Sequence, residues 1–208
     1  MVEGVQDTAK SYYPDDSVYS LGESVTLYDM KNVVQRDNTV VNILTVATIA
    51  IVLLITFKSI SIPIILLLTI QSAVWINLAI PYFTDQSLVF VGYLIVSTVQ
   101  LAATVDYAIL FTEDYNRNRK EMPALKAIKK TLDGKIFAIA ISASILSSVG
   151  FILWITSTNP IVSSIGLLIG RGALLAFIMV VFFLPAMLLV FDKIVEKTTW
   201  KSNFYKEK

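Results

Sequence analysis

An all-α membrane protein that crosses the bilayer five times is the fold class this sequence predicts, on its composition, the spacing of its charges and the sidedness of its lysines and arginines. Of 208 residues, 55% are hydrophobic and 16% charged, and the mean hydropathy is +0.69. A soluble domain carries about 25% charged residues, so this composition argues against one. Seventeen basic and 16 acidic residues nearly cancel, which leaves no bulk charge to attract nucleic acid. Cysteine and histidine are both absent. Disulfides, zinc–thiolate centres, iron–sulfur clusters and the usual neutral-pH base are absent with them. No cofactor, metal site or enzymatic activity is expected, since no serine has a histidine partner.

A bilayer core demands about 20 consecutive apolar residues and tolerates almost no ions. No charge falls between Asp37 and Lys58, or between Lys58 and Asp85. From 86 to 112 the only ion is Asp106, and from 136 to 191 the only ion is Arg171. The last stretch is too long for one crossing. It divides at Thr156-Ser157-Thr158-Asn159-Pro160, a cluster of turn formers ending in proline. The predicted crossings are therefore about 40–57, 60–82, 88–112, 135–156 and 161–191. Pro63 falls in the first turn of the second, where its missing N–H costs little, and Pro81 lies at the outer end of that helix. Pro185, inside the fifth, removes an i to i−4 bond and is expected to kink it. Between the third and fourth crossings, Met122, Leu125, Ile128 and Leu132 recur at helical spacing, with Lys126, Lys129 and Lys130 elsewhere on the wheel. This reads as a cytoplasmic helix near 122–133 lying on the membrane surface; a solvated basic loop is the alternative.

Loops rich in Lys and Arg mark the cytoplasmic side. Lys58 lies in the first short loop, seven basic residues lie between 113 and 135, and five follow Asp192 in a basic tail at 193–208. The loops at 83–87 and 157–160 have none. The expected location is the cell membrane, with the N-terminus outside and the C-terminus cytoplasmic. Residues 1–39, with seven acids against three bases, form an external segment. They show no signal-peptide pattern of basic start and apolar core, so a helix upstream is expected and the chain reads as a piece of something longer. Residues 17–21 (SVYSL) read as a short strand, Gly22 as a turn, and 24 to about 36 as a helix capped by Ser24, together the end of a folded outer domain.

Asp106 is the most informative residue, because an ionisable group at membrane depth costs several kcal/mol unless it is neutralised, paired or hydrated. A carboxyl that alternates between those states can pass protons across a membrane. Tyr107 adds an adjacent hydroxyl. Ser97, Gln100 and Thr104 form a polar stripe along the same helix, which suggests a hydrated seam. Asp106 is also only five or six residues from the cytoplasmic end, so a merely solvated, interfacial aspartate is the competing reading. Ala140, Ser144 and Ser148 place three small residues on one face of the fourth crossing, which allows close helix packing. Ser144 and Ser148 could equally hydrogen-bond a neighbouring carboxyl. The fifth crossing begins with Gly166-xxx-Gly170 and Gly172-xxx-Ala176 around Arg171. A span over 172–191 puts Arg171 at the outer interface, as a headgroup or interface anchor across the membrane from Asp106.

The ordered series of an external strand and helix (Gly22-Glu23-Ser24, then Asp29), a first span ending in Phe57-Lys58-Ser59, and a third span containing Ala103-Thr104-Val105-Asp106-Tyr107-Ala108 resembles the MMPL branch of the resistance-nodulation-division (RND) superfamily. Gly170-Arg171-Gly172 and Phe183-Leu184-Pro185-Ala186 fit the last helix of a repeat in that family. The resemblance covers nearly the whole chain. It implies five helices of one RND-type repeat preceded by the tail of an external α+β porter domain, with the lysine-rich tail marking the C-terminal repeat. It also implies proton-driven export of lipids or other hydrophobic molecules, with Asp106 and Tyr107 as the proton relay and Gln100, Thr104, Ser144 and Ser148 as its support. The expected partners are the lipid bilayer, a lipid or hydrophobic substrate, and the missing other repeat or a partner subunit. A non-transporting five-helix lipid- or sterol-sensing or scaffold module is the alternative.

Overall fold

The computed structural model describes residues 2–13, 23–84, 92–93, 96–200 and 204–205. The strand expected at 17–21 and the turn at Gly22 lie outside these residues. The chain divides into two compact units, residues 1–44 and 45–208. The first contains α1 (Val2–Tyr12) and the start of α2 (Glu23–Phe57). The second contains the rest of α2, α3 (Ser61–Phe83), α4 (Leu101–Arg119) with a π-helical turn before it (Val96–Gln100), α5 (Ala124–Thr156) and α6 (Pro160–Ile178). After α6 come a second π-helical turn (Met179–Phe183), α7 (Leu184–Val190) and α8 (Asp192–Thr198). Among the described residues there is no strand, and one isolated bridge pairs Ser59 with Thr199.

Four stretches among the described residues are long and apolar enough to cross a membrane: Thr39–Phe57, Ser61–Phe83, Ala124–Thr156 and Pro160–Val190. They match four of the five predicted crossings to within a residue or two, except that the third of these starts earlier. The remaining predicted crossing, 88–112, begins outside the described residues. Its described part is the first π turn and α4, and α4 continues seven residues past 112 to Arg119.

Two predicted boundaries disappear. The helix expected at 24–36 and the first crossing are one helix, because no glycine or proline falls between Glu23 and Phe57. It starts at Glu23, so Ser24 lies inside it and is not its cap. The surface helix expected near 122–133 is likewise the first part of α5, a 33-residue helix that runs through Gly134 without a break. A single interior glycine costs only about 1 kcal/mol. This segment is not a separate element, and it packs on the chain through the buried Ala127, Ile128 and Thr131, with Asn118 at the end of α4 donating to Thr131 Oγ1 at 2.9 Å.

The break at 156–160 falls where the sequence puts it. The side chain of Asn159 accepts from the backbone N–H of Ile161 at 2.9 Å, and Pro160 takes the first helical position, where its missing N–H is no loss. The irregularity expected at Pro185 is the π turn immediately before it. Proline cannot donate to the carbonyl four residues back, and a widened turn absorbs the mismatch.

Helices α5 and α6 touch backbone to backbone. A β-carbon on Gly150 would lie 2.4 Å from the Gly170 nitrogen and 2.8 Å from the Gly166 carbonyl oxygen, and one on Gly166 would lie 2.7 Å from the Trp154 nitrogen. The packing face of α5 is thus Ala143, Ser147 and Gly150. The predicted face, Ala140, Ser144 and Ser148, is off by one position, which on a helix is a rotation of about 100°. Ser144 and Ser148 are exposed on this chain, on the side of Ile141, Ile145, Val149 and Ile152. The glycines decide the register, because only they let the two backbones meet.

Candidate functional site

Helix α4 sorts its polar residues onto two faces. Gln100, Thr104 and Tyr107 recur at four- and three-residue spacing and are buried together, and Thr104 Oγ1 donates back to the Gln100 carbonyl at 2.7 Å. Asp106 lies on another face with Ala102 and Glu113, all three exposed on this chain. Asp106 has no hydrogen bond or ion pair among the described residues. The predicted polar stripe therefore does not converge on Asp106. The side chain of Ser97, its first member, lies outside the description. Gln100 and Thr104 face into the bundle, and no hydrogen bond among the described residues joins Asp106 to Gln100, Thr104, Ser144 or Ser148. Tyr107, 8% exposed, packs in the core cluster with Phe111 and Leu184.

Gln100 works elsewhere, in a buried polar knot that ties three helices. Asn77 of α3 donates through Nδ2 to Gln100 Oε1 at 2.7 Å and to the Leu168 carbonyl of α6 at 2.9 Å. Gln100 Nε2 donates to the Gly172 carbonyl at 3.3 Å. Arg171 completes the knot, with Nε donating to Asn77 Oδ1 at 2.8 Å and Nη2 to the Asn77 carbonyl at 3.0 Å. Gly172 leaves room for the two amides, since a β-carbon there would lie 2.4 Å from Gln100 Oε1 and 2.7 Å from Asn77 Nδ2 and would oblige them to shift. Arg171, expected as an anchor in the headgroups, is half-buried and turned onto α3. Buried polar groups demand partners, and Asn77 supplies both an acceptor and a carbonyl. Sequence reading missed Asn77 because counting ions passes over an amide; a lone asparagine inside an apolar span was the available signal.

A second cluster closes the other end of α4. Arg119 meets Asp192 through two parallel bonds, Nε to Oδ1 and Nη2 to Oδ2, both at 2.9 Å, and Tyr115 Oη donates to Asp192 Oδ1 at 2.7 Å. Arg119 Nη1 also donates to the Tyr205 carbonyl at 2.8 Å, and the guanidinium stacks 5.2 Å from the centre of the Phe204 ring. Burial alone would raise the Asp192 carboxyl, but the bonds from Arg119 and Tyr115 outweigh it and hold it below its usual range. Arg119 is held up by its bond to Asp192, and Tyr115 is pushed up chiefly by burial and then by its bond to Asp192. Nearby, Asp114 pairs with Arg117 and accepts from Asn118 Nδ2 at 3.2 Å. These are pins that fasten the chain after the last span to α4.

No group of three or more His, Cys, Asp or Glu among the described residues could hold a metal ion. The four apolar stretches describe a polytopic membrane protein. The sequence model of the MMPL family matches residues 1–205. The chain belongs to the MMPL family, within the RND superfamily of membrane transporters. Comparison with curated proteins and with solved structures gave no match.

Proposed function

We propose that Asp106 and Tyr107 form the proton relay of this transporter, and that inward proton flow through it drives export of a lipid or other hydrophobic molecule. The observation that supports this reading is the face of α4 carrying Ala102, Asp106 and Glu113, which the described residues of the chain leave open. A carboxylate facing hydrocarbon costs several kcal/mol, so that face calls for a covering element that brings a partner or water to Asp106. The other repeat of the transporter, from a longer chain or a partner subunit, is that element in this reading. Tyr107 is buried one residue away and joins the open face to the packed core. Each proton moving inward supplies about 2.3 kcal/mol per 100 mV of membrane potential. Gln100 and Thr104 hold the opposite face of α4, and their part is to fix its position. The chain sits in the cell membrane with its C-terminus on the cytoplasmic side.

The test is the Asp106→Asn variant, nearly isosteric but unable to carry a proton, in cells whose transporter is otherwise intact. Lost export with normal membrane insertion supports the relay. Export unchanged by the substitution overturns it and favours a sensing or scaffold module, which has no need of an ionisable side chain at this position.

A further inference from the structure

Only Lys58, Ser59 and Ile60 connect the end of α2 to the start of α3. Both helices span the membrane, so this connection lies at a membrane surface whichever way the chain is oriented. Four predicted crossings, an even number, lie between this connection and the end of the last span at Val190, and the residues after that span fold back onto the connection. Ser59 pairs with Thr199, the Trp200 N–H donates to the Lys58 carbonyl at 2.9 Å, and Thr198 Oγ1 donates to Ser61 Oγ at 2.8 Å. The two segments enclose an open cleft of about 460 Å³ lined by Leu54, Lys58, Ser59, Ile60, Lys197 and residues 198–200.

Several features of this cleft suit a phosphate. Lys58 and Lys197 are exposed and form no ion pair among the described residues. Lys58 has a φ of 48°, a left-handed backbone that a residue with a β-carbon adopts only when its surroundings hold it there; the bond from Trp200 does so. Ser59 is 3% exposed, so its hydroxyl, which has no hydrogen-bond partner among the described residues, lies beneath the wall of the cleft and leaves the two lysines as its polar surface. Ile60 precedes the 23-residue α3 and offers no side-chain cap, and Pro63 has no N–H, so the uncapped donors at the positive end of this helix are those of Ser61 and Ile62. Trp200 is 79% exposed, as suits an indole at headgroup depth.

A second groove, of about 250 Å³, is lined at one end by Ser61, which accepts from Thr198 of the first cleft. Its lining is almost wholly apolar and includes Ile64, Ile65, Leu68, Met187, Phe191 and Ile194. From Ser61 to Leu68 it follows α3 for roughly 10 Å, at about 1.5 Å per residue, into the span. A cleft with two lysines at the surface, next to an apolar groove along α3, offers the two chemistries of one amphiphile.

We propose that this is a binding site for an anionic phospholipid of the adjoining leaflet, its phosphate held by Lys58 and Lys197 and one acyl chain laid in the groove along α3. Basic pockets between spanning helices select such headgroups. A zwitterionic lipid would bring its own ammonium against the two lysines. The site involves neither Asp106 nor Tyr107 and stands whether or not they relay protons.

Native mass spectrometry on the full chain in detergent, titrated with phosphatidylglycerol and with phosphatidylcholine of the same acyl chains, tests the proposal. The expected result is one retained phosphatidylglycerol, bound more tightly than phosphatidylcholine. The Lys58→Gln/Lys197→Gln variant should lose that preference by roughly fivefold per lysine, about 1 kcal/mol each. Leu68→Trp, which fills the groove and changes no charge, should weaken both lipids. Equal binding of the two lipids by the wild type, or phosphatidylglycerol binding unaffected by the lysine substitutions, overturns the proposal. So does glycerol phosphate that displaces the lipid at equal concentration, which would mark a site for a free phosphate in which the acyl groove has no part.

Discussion

Arg119 and Asp192 lie 73 residues apart in the sequence and meet through two parallel 2.9 Å bonds, with the Tyr115 hydroxyl on the same carboxylate. The pair joins the end of α4 to the first residue of α8. Both side chains are about nine-tenths buried, 9% and 13% exposed. Removing one partner would leave the other buried without compensation, which costs about 3 kcal/mol. Asp192→Asn should therefore lower the unfolding midpoint measured by circular dichroism in detergent, and an unchanged midpoint would show that the pair does not hold the end of the bundle.

The same pair sets a pH dependence. The Asp192 carboxyl is depressed in the folded state, so its contribution is present above the unfolded value of about 3.9 and is lost as pH falls through the lower folded value. The gap in midpoint between wild type and Asp192→Asn should be constant from about pH 7 to pH 5 and shrink below about pH 4. Taking the difference removes the other carboxylates. A gap that shrinks instead on raising the pH from 5 to 7 would contradict the assignment.

Asn77 serves Gln100, Leu168 and Arg171 at once. Asn77→Leu puts a somewhat larger apolar side chain in place of the amide and removes its three side-chain bonds, leaving the Gln100 amide oxygen, the Leu168 carbonyl and the Arg171 Nε short of partners while Arg171 Nη2 keeps the backbone carbonyl. Each costs about 1–3 kcal/mol, so this substitution should be among the most destabilising single changes in the spans. Gln100→Leu on that background should cost less than it does alone, because the two amides lose the same bond. Strict additivity in such a double-mutant cycle would mean the knot is not a unit.

Two glycines of α5 should respond with opposite signs. At Gly150 an added methyl meets backbone of α6 at 2.4 Å, whereas at Gly134 it meets nothing within 4 Å. Gly150→Ala should separate α5 from α6 at a cost of about 1–3 kcal/mol. Gly134→Ala should stabilise by up to about 1 kcal/mol through helix propensity. Thermal unfolding of the two single variants side by side is the measurement.

Asp106→Asn offers the cleanest separation of fold from activity. The carboxylate is exposed and has no partner among the described residues, so the stability of this chain should change by no more than about 0.5 kcal/mol. A large loss of stability in the same unfolding assay would mean Asp106 is a structural residue.

The spans were legible because burial in hydrocarbon imposes a composition rule that needs no partner. Twenty or so residues without charge show themselves one segment at a time, and Asn159-Pro160 ends one helix and starts the next by local chemistry alone. Within a span that is apolar all round, the pattern does not say which face packs, since lipid and protein interior accept the same residues. That is why Ala143, Ser147 and Gly150 could not be told from Ala140, Ser144 and Ser148 until Gly166 and Gly170 were seen opposite them.

The sequence by itself determined that this chain lives in a membrane and where four of its apolar stretches lie, and it singled out Asp106 as a carboxyl inside a largely uncharged segment. The tertiary structure decided which way each polar side chain turns: Gln100 and Thr104 inward, Asp106 to the open face, Arg171 onto Asn77, and Asp192 onto Arg119. The first set follows from the free energy of moving single residues out of water, which is a property of each segment alone. The second depends on a donor and an acceptor arriving together from helices dozens of residues apart, which only their packing brings about.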